Sequence, residues 1–442
     1  MGVGQPRALP NGYRGTTGVS FAMRVMSAID TVIIGAGQAG LALSRLLTEA
    51  RHDHVVLERG RVGERWRSER WDSLALLTPN WANRLPHGEV PDDPAGYASR
   101  SEFVSRLQRY ARSFGAPVRE RTTVTAVERD AGGFRVRTDR GEWRAGNVVV
   151  ATGDCAVPAV PWFAASAPAP VEQLHASRYR APASLAPGGV LVVGAGPSGH
   201  QIAHELALAR RSVVLAVGRH ARIVRRYRSR DIWAWLDALG DLSRPPDELS
   251  RHPRRRRPPA LPLDGRQGGR TIDLDVLAAA GVRIAGRLEG FAGTHALFGA
   301  GLDAAIADAD ERLGRLLARI DRHIDSRADA HAFPPREQIA PIQVPSPTPA
   351  IDLAAESIST IVWATGYHRH FPWLRIPEVI GADGGILHDH GRTAVSGLFV
   401  LGMRWQSRMT SHQIGGVGPD AAFLAAQIAA EADGGRALRA AA

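Results

Sequence analysis

The chain has 442 residues, a formal net charge of +11, 44% hydrophobic and 22% charged residues. That is enough for two or three domains with proper cores, and the balance is that of a soluble globular protein. No apolar run reaches the roughly 18 residues of a membrane-spanning helix, and Cys155 alone allows neither an intrachain disulfide nor a Cys-x-x-Cys pair.

Residues 1–27 lack the apolar core of a signal peptide and read as a disordered extension, with Met23 or Met26 as alternative starts. The expected compartment is the cytoplasm. A strand over 30–35 then runs into Gly35-Ala36-Gly37-Gln38-Ala39-Gly40, a G-x-G-x-x-G fingerprint that opens a helix over 39–49. The first glycine permits a tight turn, the second lets a pyrophosphate approach the backbone, and the third brings helix and strand together. Glu58, with Arg59 beside it, ends the next strand, where an acid accepts hydrogen bonds from ribose hydroxyls and repels a 2′-phosphate. Ser99 and Glu102 have capping-box spacing ahead of a helix over 100–114, with Phe103, Leu107, Tyr110 and Phe114 on one stripe. Short alternating strands follow, the last ending in Ala151-Thr152-Gly153.

A proline-punctuated linker leads to a second unit of strand 189–194, helix 198–209 and strand 212–217. Its fingerprint is Gly194-Ala195-Gly196-Pro197-Ser198-Gly199. The position equivalent to Glu58 is Val217, and Arg219 and Arg222 follow it. Arginine forks suit a 2′-phosphate, so this site favours NADPH over NADH. Residues 240–345 are expected to form a helical insertion, with Leu302–Ala328 as one long helix. All 55 basic residues are arginine, so the run Arg254–Arg257 reads as a solvated loop and no nucleic-acid partner is implied. A strand over 358–364 ends in Ala364-Thr365-Gly366-Tyr367, a strand over 397–402 ends in Gly402, and a helix runs from Pro419 to about Ala430.

Two fingerprints mean two dinucleotides. The fold class is α/β, with two Rossmann-like domains. The first site suits FAD or NAD, and the ordinary reason for two dinucleotides is a flavin reduced by a nicotinamide. An FAD-binding domain over 28–165 and 346–442 is therefore expected, interrupted by an NADP-binding domain over 166–345 that includes the 240–345 insertion.

The order of fingerprint, acid, Ala-Thr-Gly, fingerprint and Ala-Thr-Gly-Tyr resembles the class B flavoprotein monooxygenases, including the flavin-containing, YUCCA-type and bacterial CzcO-like groups. Gln173–Tyr179 sits at the family's linker fingerprint; His175 and Tyr179 keep its histidine and aromatic, while Ala169 and Val171 replace its Phe and Gly. His175 itself reads as a satisfied linker histidine, not an acid or base.

Several roles follow from this resemblance. Gly63 and Trp66 match a G-x-x-W element, and Arg70, Trp71, Thr78 and Asn80 line the isoalloxazine, with Asn80 near the reacting centre. Val124 borders the adenine, and Gly402 ends the strand returning to the flavin. The resemblance implies an enzyme in which NADPH reduces FAD and the reduced flavin uses O₂ to oxygenate a small molecule at nitrogen, sulfur or carbonyl carbon. A flavin reductase serving a protein partner and a flavin-bound sensor stay open as alternatives. So does the oligomeric state, a homo-oligomer included.

Overall fold

A computed structural model describes residues 25–246, 260–343, 346 and 348–440. Of the expected extension 1–27, residues 1–24 lie outside the described residues, as does the run Arg254–Arg257. Val25–Ser27 correct the expectation by beginning the first strand, Val25–Ile34.

The first unit is a seven-stranded sheet. Val118–Arg119, His54–Leu57, Val25–Ile34 and Gly141–Val150 lie side by side, followed by Gly133–Thr138 and Val124–Asp130. Thr31–Ile34 pairs in parallel with His54–Leu57 on one side and Asn147–Val150 on the other. Gly133–Thr138 folds back antiparallel, which supplies the expected small meander. Leu398–Val400 returns from far along the chain to pair in parallel with Val148–Val150. Val32, Ile33, Val148 and Val149 are fully buried, which suits a parallel sheet covered on both faces. The helices Gln38–Glu49 and Arg100–Ser113 lie against it. The latter carries the expected capping box between Ser99 and Glu102.

The second unit is a five-stranded, wholly parallel sheet: Val282–Ala285, Val213–Ala216, Gly189–Val193, Ile358–Trp363 and Glu172–His175. It corrects the expected boundaries twice. Ile358–Trp363 belongs to this sheet, not to the first, because its apolar Ile361, Val362 and Trp363 pack beside Leu191, Val192 and Val193. Residues 240–345 are also not simply helical. They contribute the edge strand Val282–Ala285 and the hairpin Leu288–Ala292 with His295–Phe298. The long helix is there, as Leu302–Asp325, with Leu313, Leu317 and Ile320 buried.

The two units are tightly joined. A Cβ on Gly265 would lie 2.1 Å from the Leu76 carbonyl, and one on Gly269 would lie 2.6 Å from the Tyr97 ring. Tyr97 hydrogen-bonds Asp231, and the Arg225 guanidinium stacks 4.6 Å from the Tyr97 centroid. Arg225, 2% exposed, also donates to the carbonyls of Leu77 and Asp264. Among the described residues no helix is long and apolar enough to cross a membrane.

Candidate functional site

Both fingerprints have the same construction. Gly35 has φ 108°, and a Cβ there would sit 2.8 Å from the Ala151 carbonyl; Gly194 has φ 109°, with the Ala364 carbonyl at 2.6 Å. Each Ala-Thr-Gly strand end therefore presses on its own fingerprint, which only glycine at positive φ allows. A Cβ on Gly40 or Gly199 would lie 1.9 or 1.8 Å from the carbonyl of Gly35 or Gly194, so helix and strand are packed backbone to backbone. Beside Gly37 and Gly196, by contrast, nothing lies within 4 Å. The middle glycine faces open space at each helix N-terminus, the place where a pyrophosphate meets free N–H groups. Gln38 and Ala39 open the first helix, and Ser198 lies in the first turn of the second.

In the first cradle, Glu58 is 9% exposed, and its carboxylate is aimed by two backbone donors. The Ala36 N–H reaches Oε2 at 2.8 Å and the Gly60 N–H reaches Oε1 at 2.9 Å. The remaining lone pairs can take ribose hydroxyls. Arg59 is exposed and pairs with Glu69 at 3.0 Å; with Arg61, Arg121 and Thr123 it borders an open cavity of about 540 Å³. Val124 is half-buried at the sheet edge beyond.

The G-x-x-W element is tied to the fingerprint, since Gly63 N–H donates to the Ala36 carbonyl at 3.0 Å. Trp66 lies edge-on to Phe103, under the Arg70 guanidinium, with its N–H 3.5 Å from the Gln38 amide oxygen. Trp71 is 3% exposed and its indole N–H has no acceptor in the protein. A buried donor without a protein partner fits a segment that closes on a bound group.

Asn80, expected near the reacting centre, is 5% exposed and has both ends of its amide engaged. Its oxygen accepts from Arg106 at 2.8 Å and its nitrogen donates to the Asp93 carbonyl at 2.9 Å. Thr78 likewise donates to Asn83. These bonds tie the turn Asn80–Asn83 to Asp93 and to the helix Arg100–Ser113.

In the second cradle, Arg219 is exposed just beyond the end of Val213–Ala216. Arg222 corrects the sequence expectation. It is 7% exposed and forks onto Asp273 at 3.1 Å, while pairing with Asp310 at 2.9 Å and the Ala340 carbonyl at 2.8 Å. Its donors and charge are consumed inside the fold, so it cannot serve a phosphate. Arg287 is a neighbour the sequence did not suggest, with its Cγ 3.8 Å from where a Gly218 Cβ would be. Val282–Ala285 and Val213–Ala216 are parallel neighbours, so the turns that follow them share one edge.

Where the two sheets end, the chain brings them together. Tyr367–His368 pairs antiparallel with Val157–Pro158, Ala159 N–H donates to the Gly366 carbonyl at 2.9 Å, and Thr365 donates to the Ala159 carbonyl. Asp154 and Arg369 close this junction with a bidentate pair at 2.9 and 3.1 Å. Burial pushes the Asp154 carboxyl up, but the Arg369 guanidinium outweighs it and holds the group below its ordinary range.

His175 sits behind the junction. Its Nδ1 accepts the Ser177 N–H at 3.2 Å, so the proton is on Nε2, which donates to the Gly366 carbonyl at 3.0 Å. Burial pushes this imidazole below its usual value and keeps it neutral. It is a structural clasp, as its sequence position suggested. Gly402, at φ 80°, packs against Ala39, 2.9 Å from where its Cβ would be, so the returning strand meets the first fingerprint helix.

Residues 32–237 match a family model described as pyridine nucleotide-disulphide oxidoreductase. An uncharacterized CzcO-like oxidoreductase of Geobacillus kaustophilus is 31% identical over 398 residues, covering 90% of this chain and 97% of that protein. This chain belongs to the family of CzcO-like oxidoreductases. Indole-3-pyruvate monooxygenase YUCCA1 of Oryza sativa subsp. japonica, another relative of the family, is 37% identical over 179 residues, covering 40% of this chain and 44% of that enzyme. Among solved structures, the flavin-containing monooxygenase from Stenotrophomonas maltophilia superposes with a TM-score of 0.63 at 20% identity, over 92% of this chain and 100% of that one. The bacillithiol disulfide reductase from Bacillus cereus reaches 0.56 at 14% identity, over 92% of this chain and 100% of that one. The fold is thus shared by oxygenating and disulfide-reducing proteins, and the assignment to the family rests on the full-length relative.

Proposed function

We propose that the protein is an NADPH-dependent flavoprotein monooxygenase acting on a small molecule, with FAD in the first cradle and NADPH in the second. The observation that carries this reading is the junction of the Ala-Thr-Gly strand ends, each pressed on its own fingerprint and stapled to the other through Asp154 and Arg369. Ligands in open parallel sheets bind beyond the carboxyl ends of the strands. Joining those ends gives two redox rings a common space.

FAD, once bound and reduced, supplies the oxygen chemistry, as cofactors do in such enzymes. This chain's residues bind, orient and seal. Glu58 takes the ribose and disfavours a 2′-phosphate in the first cradle, while Arg219 and Arg287 take the 2′-phosphate in the second. Trp66 and the orphan N–H of Trp71 hold the segment beside the flavin, and Asn80 with Arg106 fixes the loop covering it. The N-terminal end of Val417–Ala440 packs beside the first fingerprint helix, where its dipole favours negative charge. Closing the space against water is the protein's main contribution to oxygen transfer.

The test is to reduce the FAD-loaded protein and mix it with O₂ under rapid-scan spectroscopy. A species with an absorbance band near the ultraviolet edge, distinct from both oxidised and reduced flavin, is expected to persist for seconds. Prompt return to oxidised flavin with no such species, together with efficient reduction of an electron carrier, would replace this reading by a flavin reductase.

A further inference from the structure

One set of bonds between the two units runs in both directions and meets at the segment proposed to lie beside the flavin. Arg225 is 2% exposed and is fixed first by its own unit. Its backbone N–H donates to the Thr271 hydroxyl at 2.9 Å, and its carbonyl accepts the Ile232 N–H at 2.8 Å. Its Nη2 then crosses to the first unit and donates to the Leu77 carbonyl at 2.9 Å, while also reaching the Asp264 carbonyl of the second at 3.2 Å. The return bond comes from Tyr97, in the first unit just ahead of the helix Arg100–Ser113. Its hydroxyl donates to the Asp231 carboxylate of the second unit, and its ring centroid lies 4.6 Å from the Arg225 guanidinium. Asp231 faces that guanidinium at 3.4 Å, and its other oxygen caps the helix Ile232–Ala238 by accepting the Trp233 N–H at 2.8 Å.

These bonds differ in kind from the apolar part of the join. Trp71 and Leu74 of the first unit share one cluster with Tyr179 and Ile202 of the second, but apolar contact is non-directional and tolerates sliding. Charge-assisted hydrogen bonds fix distance and angle. Arg225 takes acceptors from both units, so a shift of Leu77 strips a buried cation of a partner, which is strongly disfavoured. The backbone leaves no slack either. A Cβ on Gly265 would lie 2.1 Å from the Leu76 carbonyl, and one on Gly269 would lie 2.6 Å from the Tyr97 ring. Leu76 and Leu77 run directly into Thr78, so the bonds act on the stretch assigned to the isoalloxazine.

We infer that Tyr97, Asp231 and Arg225 are positioning residues for electron transfer between the two dinucleotides. Together they clasp the stretch Leu76–Thr78 against the second unit and so set the distance across which hydride passes. This rests on the reading that FAD occupies the first cradle and NADPH the second.

The test compares the FAD-loaded protein with its Tyr97→Phe variant, which keeps the ring and its stacking, and with Tyr227→Phe. The second variant removes a like bond, from the Tyr227 hydroxyl to Asp321 at 2.9 Å, that lies wholly within the second unit. In Tyr97→Phe, with no nicotinamide present, deuterium uptake over residues 73–78 and 263–271 should quicken about tenfold. Anaerobic bleaching of the flavin by saturating NADPH should slow about tenfold or more, since misplacement by ~1 Å is enough for that. The affinity for NADP⁺ should stay unchanged. Tyr227→Phe should lower the unfolding midpoint and leave both the uptake at these segments and the bleaching rate as they were. Unchanged uptake or unchanged bleaching in Tyr97→Phe, or equal slowing in Tyr227→Phe, would overturn the proposal. If NADPH fails to bleach the unmodified protein, the two-dinucleotide reading falls and takes the proposal with it. Normal bleaching there beside an unaffected Tyr97→Phe rejects the clasp alone.

Discussion

Gly199→Ala is expected to weaken NADP⁺ binding at least a hundredfold, measured by calorimetry, while the purified protein keeps its full complement of FAD. A Cβ at that position would lie 1.8 Å from the Gly194 carbonyl oxygen and 2.9 Å from its carbon. Both are backbone atoms, so no side-chain rotation relieves the clash; the helix has to leave the strand by more than 1 Å or so to restore ordinary contact. That movement carries the N-terminus of Pro197–Leu208 away from the phosphate it is built to meet. Gly196→Ala separates this from general misfolding. Nothing lies within 4 Å of that site, so the methyl costs the empty fold little and intrudes only on the bound pyrophosphate. It should weaken NADP⁺ with thermal stability nearly unchanged. Loss of FAD in either variant would show that the two cradles are not independent.

Arg222 and Arg219 should separate stability from nucleotide choice. Arg222→Ala leaves Asp273, 9% exposed in its side chain, and Asp310 without their cation. Breaking a buried pair on one side typically costs about 3–5 kcal/mol, so urea unfolding should shift by that amount while the preference for NADPH over NADH is unaltered. Arg219→Ala should do the reverse. The KM for NADPH should rise by roughly 10- to 150-fold, the equivalent of about 1.5–3 kcal/mol for a charged hydrogen bond, with the KM for NADH and the unfolding midpoint little changed. If Arg222→Ala shifted the KM ratio without destabilising the protein, the ion-pair network described for it would be wrong.

These two arginines also show where sequence reasoning stops. Both follow the second cradle's acid position at plausible spacing, and nothing local distinguishes them. What decides is that Arg222 meets Asp273, in a stretch whose elements could not be read, and Asp310, on the long helix far along the chain. Residues 240–345 were opaque for a physical reason. Val282–Ala285 and the hairpin after it are four or five residues each, too short for a period-2 pattern to stand out, and only the amphipathic helix Leu302–Asp325 announces itself. The edge strand brings Arg287 beside the cradle, so a candidate phosphate ligand was hidden with it.

The cradles themselves were legible, because glycine's role there is local. Gly35, Gly40, Gly194 and Gly199 are required by backbone contacts within or next to the motif, and Gly37 and Gly196 stand open as the pattern implies. Chain order misled about domain membership. Ile358–Trp363 comes late enough to suggest a return to the first sheet, yet its strand pairs beside Gly189–Val193, and the Ala364 carbonyl explains why Gly194 must be glycine. The Asp154–Arg369 pair was invisible, since an acid and an arginine in two loops carry no periodic signal. Asn80 was placed near the flavin by resemblance alone, and its engagement by Arg106, 26 residues on, carried no signal in the sequence.

The central claim is that electrons pass between dinucleotides held in these two cradles. The direct measurement is anaerobic mixing of the FAD-loaded protein with one equivalent of NADPH, followed at the visible band of oxidised flavin. Complete bleaching by that single equivalent, faster than with NADH, is the predicted result. A flavin that stays oxidised while NADPH is demonstrably bound would contradict it.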